Sequence, residues 1–210
     1  MRFIFVKELI KYAKKNKNVY LITSDLGYRA FEEFKSLFPK RFINVGVAEN
    51  NMIGISAGLA LSGKKVFVYS ILPFLIFRSL EQIRNNICHN NLDVTLVGAG
   101  GGFSYGLQGV SHNTTEDISV IRSLPNMKVF NPGSKIETLL SLKIAYQSNQ
   151  PSFIRLGKCP DIDFYKKDLK LNNGNGLIVT KGADLTVFCT GNILENVFRA
   201  VQRANLLGHN

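Results

Sequence analysis

Val19-Tyr20-Leu21-Ile22-Thr23-Ser24-Asp25-Leu26-Gly27 sets the pattern that the rest of the chain repeats. Five β-forming residues run without a charge and then stop at a polar, glycine-containing break. Upstream, Leu9, Ile10, Tyr12 and Ala13 fall at helical spacing after Phe5 and Val6, so residues 3–17 read as an amphipathic helix. Downstream, a helix over 31–38 closes at Pro39 and a strand over 42–45 follows. Residues 48–61 are rich in small residues and read as a helix that stops at Ser62-Gly63. Strand 65–69, helix 74–89 and strand 94–97 come next, then a glycine-rich loop over 98–109. Helix 116–124, strand 127–130, helix 136–146 and strand 153–156 complete the series. Strands that alternate with helices in this way predict an α/β fold, a mostly parallel sheet with helices on both faces. Ligands in such sheets bind at the carboxyl ends of the strands. The polar clusters stand there: Ser24-Asp25, residues 46–51, Tyr69-Ser70, and the loop that ends at His112.

The 210 residues suit one domain with part of another. Residues 157–176 are polar and Asn/Gly-rich and read as a linker. A new α/β unit then begins, with a strand over 185–189, the turn Thr190-Gly191 and a helix over 193–207. One strand and one helix cannot bury both of their faces, so 184–210 is expected to be the opening of an incomplete second domain.

Composition narrows the function classes. Lys and Arg number 26 against 15 Asp and Glu, a formal charge of +11. Such a charge suggests nucleic acid, but the excess is spread: 10 basic and 5 acidic groups in 1–50, 8 and 5 in 51–150, 8 and 5 in 151–210. Only Lys11 to Lys17 forms a cluster, at a helix end where cations suit the dipole. No nucleic-acid partner is expected. The apolar stretches 66–77 and 92–102 are too short and too broken for a membrane span, which takes about 20 apolar residues. The first eight residues meet a charge too early for a signal peptide. Cys88, Cys159 and Cys189 are scattered and odd in number, without disulfide or zinc spacing. A soluble, cytoplasmic protein is expected, with no metal site of its own.

Two places carry chemistry. Glu49, in Asn44-Val45-Gly46-Val47-Ala48-Glu49, is a carboxylate at a strand exit and helix start. Burial there disfavours its charge and the helix N-terminus favours it. An acid in a helix's first turn is also commonplace. The loop 98–112 holds glycines that let backbone approach a ligand and closes on His112, a possible acid, base or polar anchor. No phosphate-loop lysine, dinucleotide-binding glycine register or serine-hydrolase elbow is present.

Taken together, Gly46-Val47-Ala48-Glu49, Gly58-Leu59-Ala60, Phe74-Leu75-Ile76-Phe77, Gly109-Val110-Ser111-His112, Leu124-Pro125-Asn126-Met127 and Pro132 resemble the pyrimidine-binding domain of transketolases. The likeness covers residues 19–158 and extends to 1-deoxyxylulose-5-phosphate synthases and the beta subunits of 2-oxoacid dehydrogenases. Residues 41–58 and 80–86 look most like split transketolase C-terminal subunits. The resemblance implies a transketolase-like pyrimidine-binding domain over 1–158, a linker over 159–183 and an incomplete C-terminal-like domain over 184–210.

It also implies roles. Glu49 corresponds to the glutamate that hydrogen-bonds the aminopyrimidine of thiamine diphosphate and favours its imino tautomer. Phe74 and Phe77 correspond to the aromatic wall against that ring; helix core at i, i+3 is the other way to read them. His112 matches a histidine facing the substrate carbonyl or hydroxyl. Asp25 resembles a cofactor-side acid. Lys158 falls where the family has a phosphate-binding arginine, and Arg29 is a second candidate contact for a sugar phosphate. Two features depart from the family pattern: the segment before His112 lacks an acid and a proline, and no second histidine stands near Gly100. Thiamine enzymes hold diphosphate and Mg²⁺ through a Gly-Asp-Gly motif followed by an asparagine. This chain contains no Gly-Asp-Gly, so the resemblance implies an N-terminal transketolase subunit as partner, in a homodimeric or heterotetrameric assembly. The implied reaction is transfer of a two-carbon ketol unit between sugars. The alternatives are a 2-oxoacid dehydrogenase beta subunit, or a binding protein that keeps the fold without catalysis.

Overall fold

A computed structural model describes residues 1–157, 164–165 and 176–209. Lys158, most of the expected linker, and Cys159 lie outside the described residues. Six strands form one sheet: β1 (Val19–Thr23), β2 (Phe42–Asn44), β3 (Lys65–Ile71), β4 (Val94–Ala99), β5 (Lys128–Phe130) and β6 (Ser152–Leu156). Their order is β2-β1-β3-β4-β6-β5, and every pairing is parallel.

Alternation along the strands explains the two cores. On one face Leu21, Phe67, Tyr69, Val97 and Ile154 pack with α1 (Arg2–Lys15), α2 (Glu32–Leu37) and α7 (Lys135–Ser148). On the other, Ile22, Val66, Val68, Leu96 and Phe153 pack with α3 (Glu49–Leu61), α4 (Leu72–Phe77) and α6 (Asp117–Arg122). Burial on both faces is why these strands are almost continuously apolar. Helix starts follow local chemistry. Ser134 caps α7 by accepting from the Glu137 backbone N–H at 3.2 Å, while the Glu137 carboxylate turns back to the Gly133 N–H at 2.7 Å. This Ser-x-x-Glu arrangement satisfies donors that the first turn would otherwise leave unpaired. No described helix is long and apolar enough to cross a membrane.

Two expected elements are corrected. The single helix over 74–89 is broken: α4 ends at Phe77, and α5 (Leu80–Gln82) runs into a π-helical turn at Ile83–Cys88. Pro73 opens α4, and Ser79 leaves helical geometry at φ −126°, so the apolar periodicity continues through a change of axis. The expected strand over 185–189 does not form. Leu185, Val187 and Phe188 are exposed and pair with no strand among the described residues. A β-forming run becomes a strand only when a neighbour takes up its backbone hydrogen bonds. The helix after it is present as α8 (Leu194–Leu206).

The same geometry sorts the thiols. Cys88 is buried in the π-helical turn, and burial pushes its pKa up to about 11. Cys189 is exposed, with its pKa raised by partial desolvation and by the charge of Glu137. At pH 8 a thiol of pKa near 11 is about one part in a thousand thiolate, the reactive form. Iodoacetamide followed by peptide mass mapping is therefore expected to modify Cys189 in the folded chain and to reach Cys88 only on unfolding. Labelling of both at equal rates in the folded chain would contradict the burial of Cys88.

Candidate active site

The strand order reverses direction between β1 and β3, one leading to β2 and the other to β4. In an open α/β sheet the crevice outside the carboxyl ends of the strands at such a switch point is the usual ligand position. Ser24 leaves β1 there and Ser70 stands near the end of β3, with their hydroxyl oxygens 3.1 Å apart. Both are buried.

Glu49 enters the crevice from the first turn of α3. The turn at Gly46, with φ +73°, reverses the chain between β2 and that helix. The Glu49 side chain is 2% exposed. The Ser24 hydroxyl donates to its Oε1 at 3.1 Å, and Arg78 Nη1 donates to its Oε2 at 3.0 Å. A serine hydroxyl has one proton, so with Ser24 committed to Glu49 the Ser24–Ser70 bond takes its proton from Ser70. The result is a buried carboxylate held on both oxygens, one by a neutral relay and one by a cation.

Arg78 follows α4 directly, and its Cζ lies 4.0 Å from the centroid of the Phe74 ring. Phe74 in turn meets His112, with ring centroids 4.9 Å apart at 71°. His112 also meets Tyr105 at 5.7 Å, and its Nδ1 is 2.9 Å from Ser111 Oγ. The structure thus joins three of the expected residues, Glu49, Phe74 and His112, through Arg78. Phe77 is 41% exposed on the next turn and forms no ring pair with Phe74 or His112. Asp25 is exposed rather than packed on Glu49. Its left-handed backbone is pinned by Asn44, which accepts from the Asp25 N–H at 2.9 Å and donates to Asp25 Oδ1 at 3.0 Å. Arg29 is exposed; its N–H donates to Glu32 at 2.8 Å, and its guanidinium lies 5.5 Å from the Tyr28 ring.

The glycine-rich loop that carries His112 has a charged foundation. Arg155, on β6, donates from Nε to Asp117 Oδ2 at 2.6 Å and from Nη2 to Oδ1 at 3.4 Å. The guanidinium runs so close to the loop that a Cβ on Gly101 would lie 2.1 Å from Arg155 Cζ. Gly102 and Thr114 then bridge the two arms of the loop. Neither Arg78 nor the Asp117–Arg155 pair emerges from the sequence. The one available signal for Arg78 was its spacing, four residues after Phe74 on an otherwise apolar helix. Ser24 and Ser70 were visible as polar strand exits.

A parallel sheet with a buried acid at its switch point, flanked by an aromatic and a histidine, defines a ligand-binding α/β domain. The chain belongs to the transketolase pyrimidine-binding domain family, whose model matches residues 1–159. It is 33% identical over 207 residues to a subunit of the apulose-4-phosphate transketolase of Phocaeicola vulgatus, covering 97% of this chain and 65% of that one. It is 30% identical over 203 residues to the 6-deoxy-6-sulfo-D-fructose transketolase subunit SqwH of a Clostridium species, covering 96% and 63%. Among solved structures, a split-gene transketolase described as an inactive beta4 tetramer superposes with a TM-score of 0.88 at 30% identity, over 99% of this chain and 67% of that one. The chain therefore spans about two thirds of the length of these relatives. The all-parallel α/β sheet agrees with the fold expected from the sequence.

Proposed function

We propose that this chain is the pyrimidine-binding subunit of a split transketolase. It supplies the aminopyrimidine side of a thiamine diphosphate site. A second, different chain brings the diphosphate and Mg²⁺ ligands to this one, itself a homodimer or half of a heterotetramer, and the assembly moves a two-carbon ketol unit from a ketose or ketose phosphate to an aldose. The observation that carries this reading is Glu49: a buried carboxylate at the sheet's switch point, bonded to the Arg78 that lies over Phe74, which in turn meets His112. The subunit names borne by relatives at 30–33% identity support the division between two chains.

The residues fit the cofactor's ring by their chemistry. A planar, N–H-bearing group already sits over Phe74 and bonds Glu49, in the form of the Arg78 guanidinium. An aminopyrimidine has the same flatness and an edge of the same kind. When bound, thiamine diphosphate supplies a carbon nucleophile for ketose carbonyls. Glu49 shares a proton with the ring nitrogen that faces it, and the Ser70–Ser24 relay keeps the carboxylate aimed. Phe74 offers an apolar face for the ring, and Phe77 extends that wall. His112, oriented through Ser111, offers a hydrogen bond to a substrate oxygen. Asp25 is assigned to the cofactor side of the mouth. Arg29 and Lys158 are assigned to substrate phosphate, Arg29 as a planar fork and Lys158 as a point charge.

Calorimetry with thiamine diphosphate and Mg²⁺ tests this reading. Tight binding is expected only after this chain is mixed with a partner carrying Gly-Asp-Gly. Tight binding by this chain alone would overturn the split site. A reconstituted complex that decarboxylates a 2-oxoacid and transfers no ketol unit would move the chain to the dehydrogenase beta subunits.

A further inference from the structure

Arg78 makes the two contacts that an aminopyrimidine is expected to make. Its Nη1 bonds Glu49 Oε2 at 3.0 Å, and its guanidinium carbon sits 4.0 Å from the Phe74 centroid. A second planar group cannot hold that oxygen and that ring face while the guanidinium is there. The two partners also differ in burial. The Glu49 side chain is 2% exposed, whereas that of Arg78 is 47% exposed. The carboxylate is fixed in the crevice, and the arginine reaches it from the rim.

The break in the helix makes this possible. Arg78 lies at the C-cap of α4, before Ser79 departs from helical geometry, so its stem is not packed along a continuous helix. Its guanidinium has water on one side to receive it. A carboxylate left buried without a counter-charge is strongly unfavourable, which gives an empty site a reason to hold a cation. A neutral ring that accepts a proton-sharing bond from Glu49 removes that reason.

We propose that Arg78 is a displaceable stand-in for the aminopyrimidine: it covers Phe74 and pairs Glu49 while the site is empty, and the ligand must evict it. The proposal rests on the pyrimidine-site reading above. It makes Arg78 a positioning residue whose departure precedes productive binding, so the competent state is only part of the free population. Apparent affinity then falls by that fraction. If the arginine is seated about nine-tenths of the time, removing it tightens binding about tenfold.

The test titrates the full chain with 4-amino-5-hydroxymethyl-2-methylpyrimidine, followed by NMR. Arg78→Met keeps the apolar stem and removes the planar cation; a thermal melt checks its fold. Arg78→Met is expected to bind the pyrimidine about tenfold more tightly than the natural chain. In the natural chain, the side-chain N–H signal missing from Arg78→Met should leave its ring-current-shifted position as the ligand saturates. Equal or weaker binding by Arg78→Met, or an Arg78 signal that stays in place at saturation, overturns the stand-in. Glu49→Gln separates the two levels. Loss of binding in Glu49→Gln with no gain in Arg78→Met sinks the stand-in alone. Unchanged binding in Glu49→Gln, or no binding by any variant, sinks the pyrimidine site and the stand-in with it.

Discussion

Glu49→Gln is expected to lower ketol transfer by the reconstituted complex about 10²- to 10⁴-fold, the range for removing a group that handles a proton in the transition state. Glutamine keeps the length and planarity of the side chain. Its carbonyl oxygen still accepts from Ser24, so the crevice keeps its shape. What it loses is the capacity to share a proton with a ring nitrogen. The fold should survive, because the charge left behind belongs to Arg78, whose side chain is 47% exposed and can turn to water. Thermal unfolding within a few degrees of the natural chain, together with a collapse of single-turnover rate, is the expected pair of results. Glu49→Ala is the poorer test, since it opens a void between Ser24 and Arg78 and mixes packing with chemistry. Activity retained to within tenfold in Glu49→Gln would remove Glu49 from the reaction.

The reason Glu49 needed a structure lies in what local sequence encodes. An acid in the first turn of a helix is favourable wherever it sits. Nothing in residues 44–52 distinguishes an exposed acid from a buried one. The distinguishing contacts come from Ser24, 25 residues away, and Arg78, 29 residues away. The strands were legible for the opposite reason. Burial on both faces is written locally as unbroken apolar runs, as in Val66-Phe67-Val68-Tyr69, and each run ends in a polar exit. Two elements lost that local signature. The break at Arg78–Ser79 falls inside an apolar rhythm that continues on both sides. Residues 185–189 have β propensity, but a strand is a pairing, and pairing is not a local property. Phe74 and His112, which the resemblance to transketolases singles out, lie as neighbours in the structure. The resemblance missed Arg78 and the Asp117–Arg155 pair because none of the quoted motifs included them.

Asp117→Ala is expected to be the most damaging single substitution to stability. Asp117 is fully buried at the start of α6, and Arg155 is buried on β6. Their two-point contact joins a helix on one side of the sheet to a strand within it. The pair itself need not be a net gain, since taking two charges out of water offsets much of their attraction. Breaking it is another matter. With the carboxylate gone, the guanidinium is left against the Gly101 backbone, where a Cβ would lie 2.1 Å from Arg155 Cζ, and its outlet is the cavity it lines with Phe103 and Asn192. A buried charge stranded in this way costs about 3–5 kcal/mol. For a chain of this size that is roughly 6–20 °C of melting temperature. Asp117→Leu combined with Arg155→Met should recover much of the loss, because an apolar pair strands no charge. Calorimetric melts of the two variants give the comparison. Equal melting temperatures for Asp117→Ala and the natural chain would show that Arg155 turns into the cavity beside it and is hydrated there. The loop that carries His112 rests on the same guanidinium, so Asp117→Ala should also slow ketol transfer well below its melting temperature. Gly101→Ala supplies the contrast. It keeps both charges and forces the loop and the guanidinium apart, so a fall in rate with a smaller fall in melting temperature would separate the loop's placement from the presence of the paired charges beneath it.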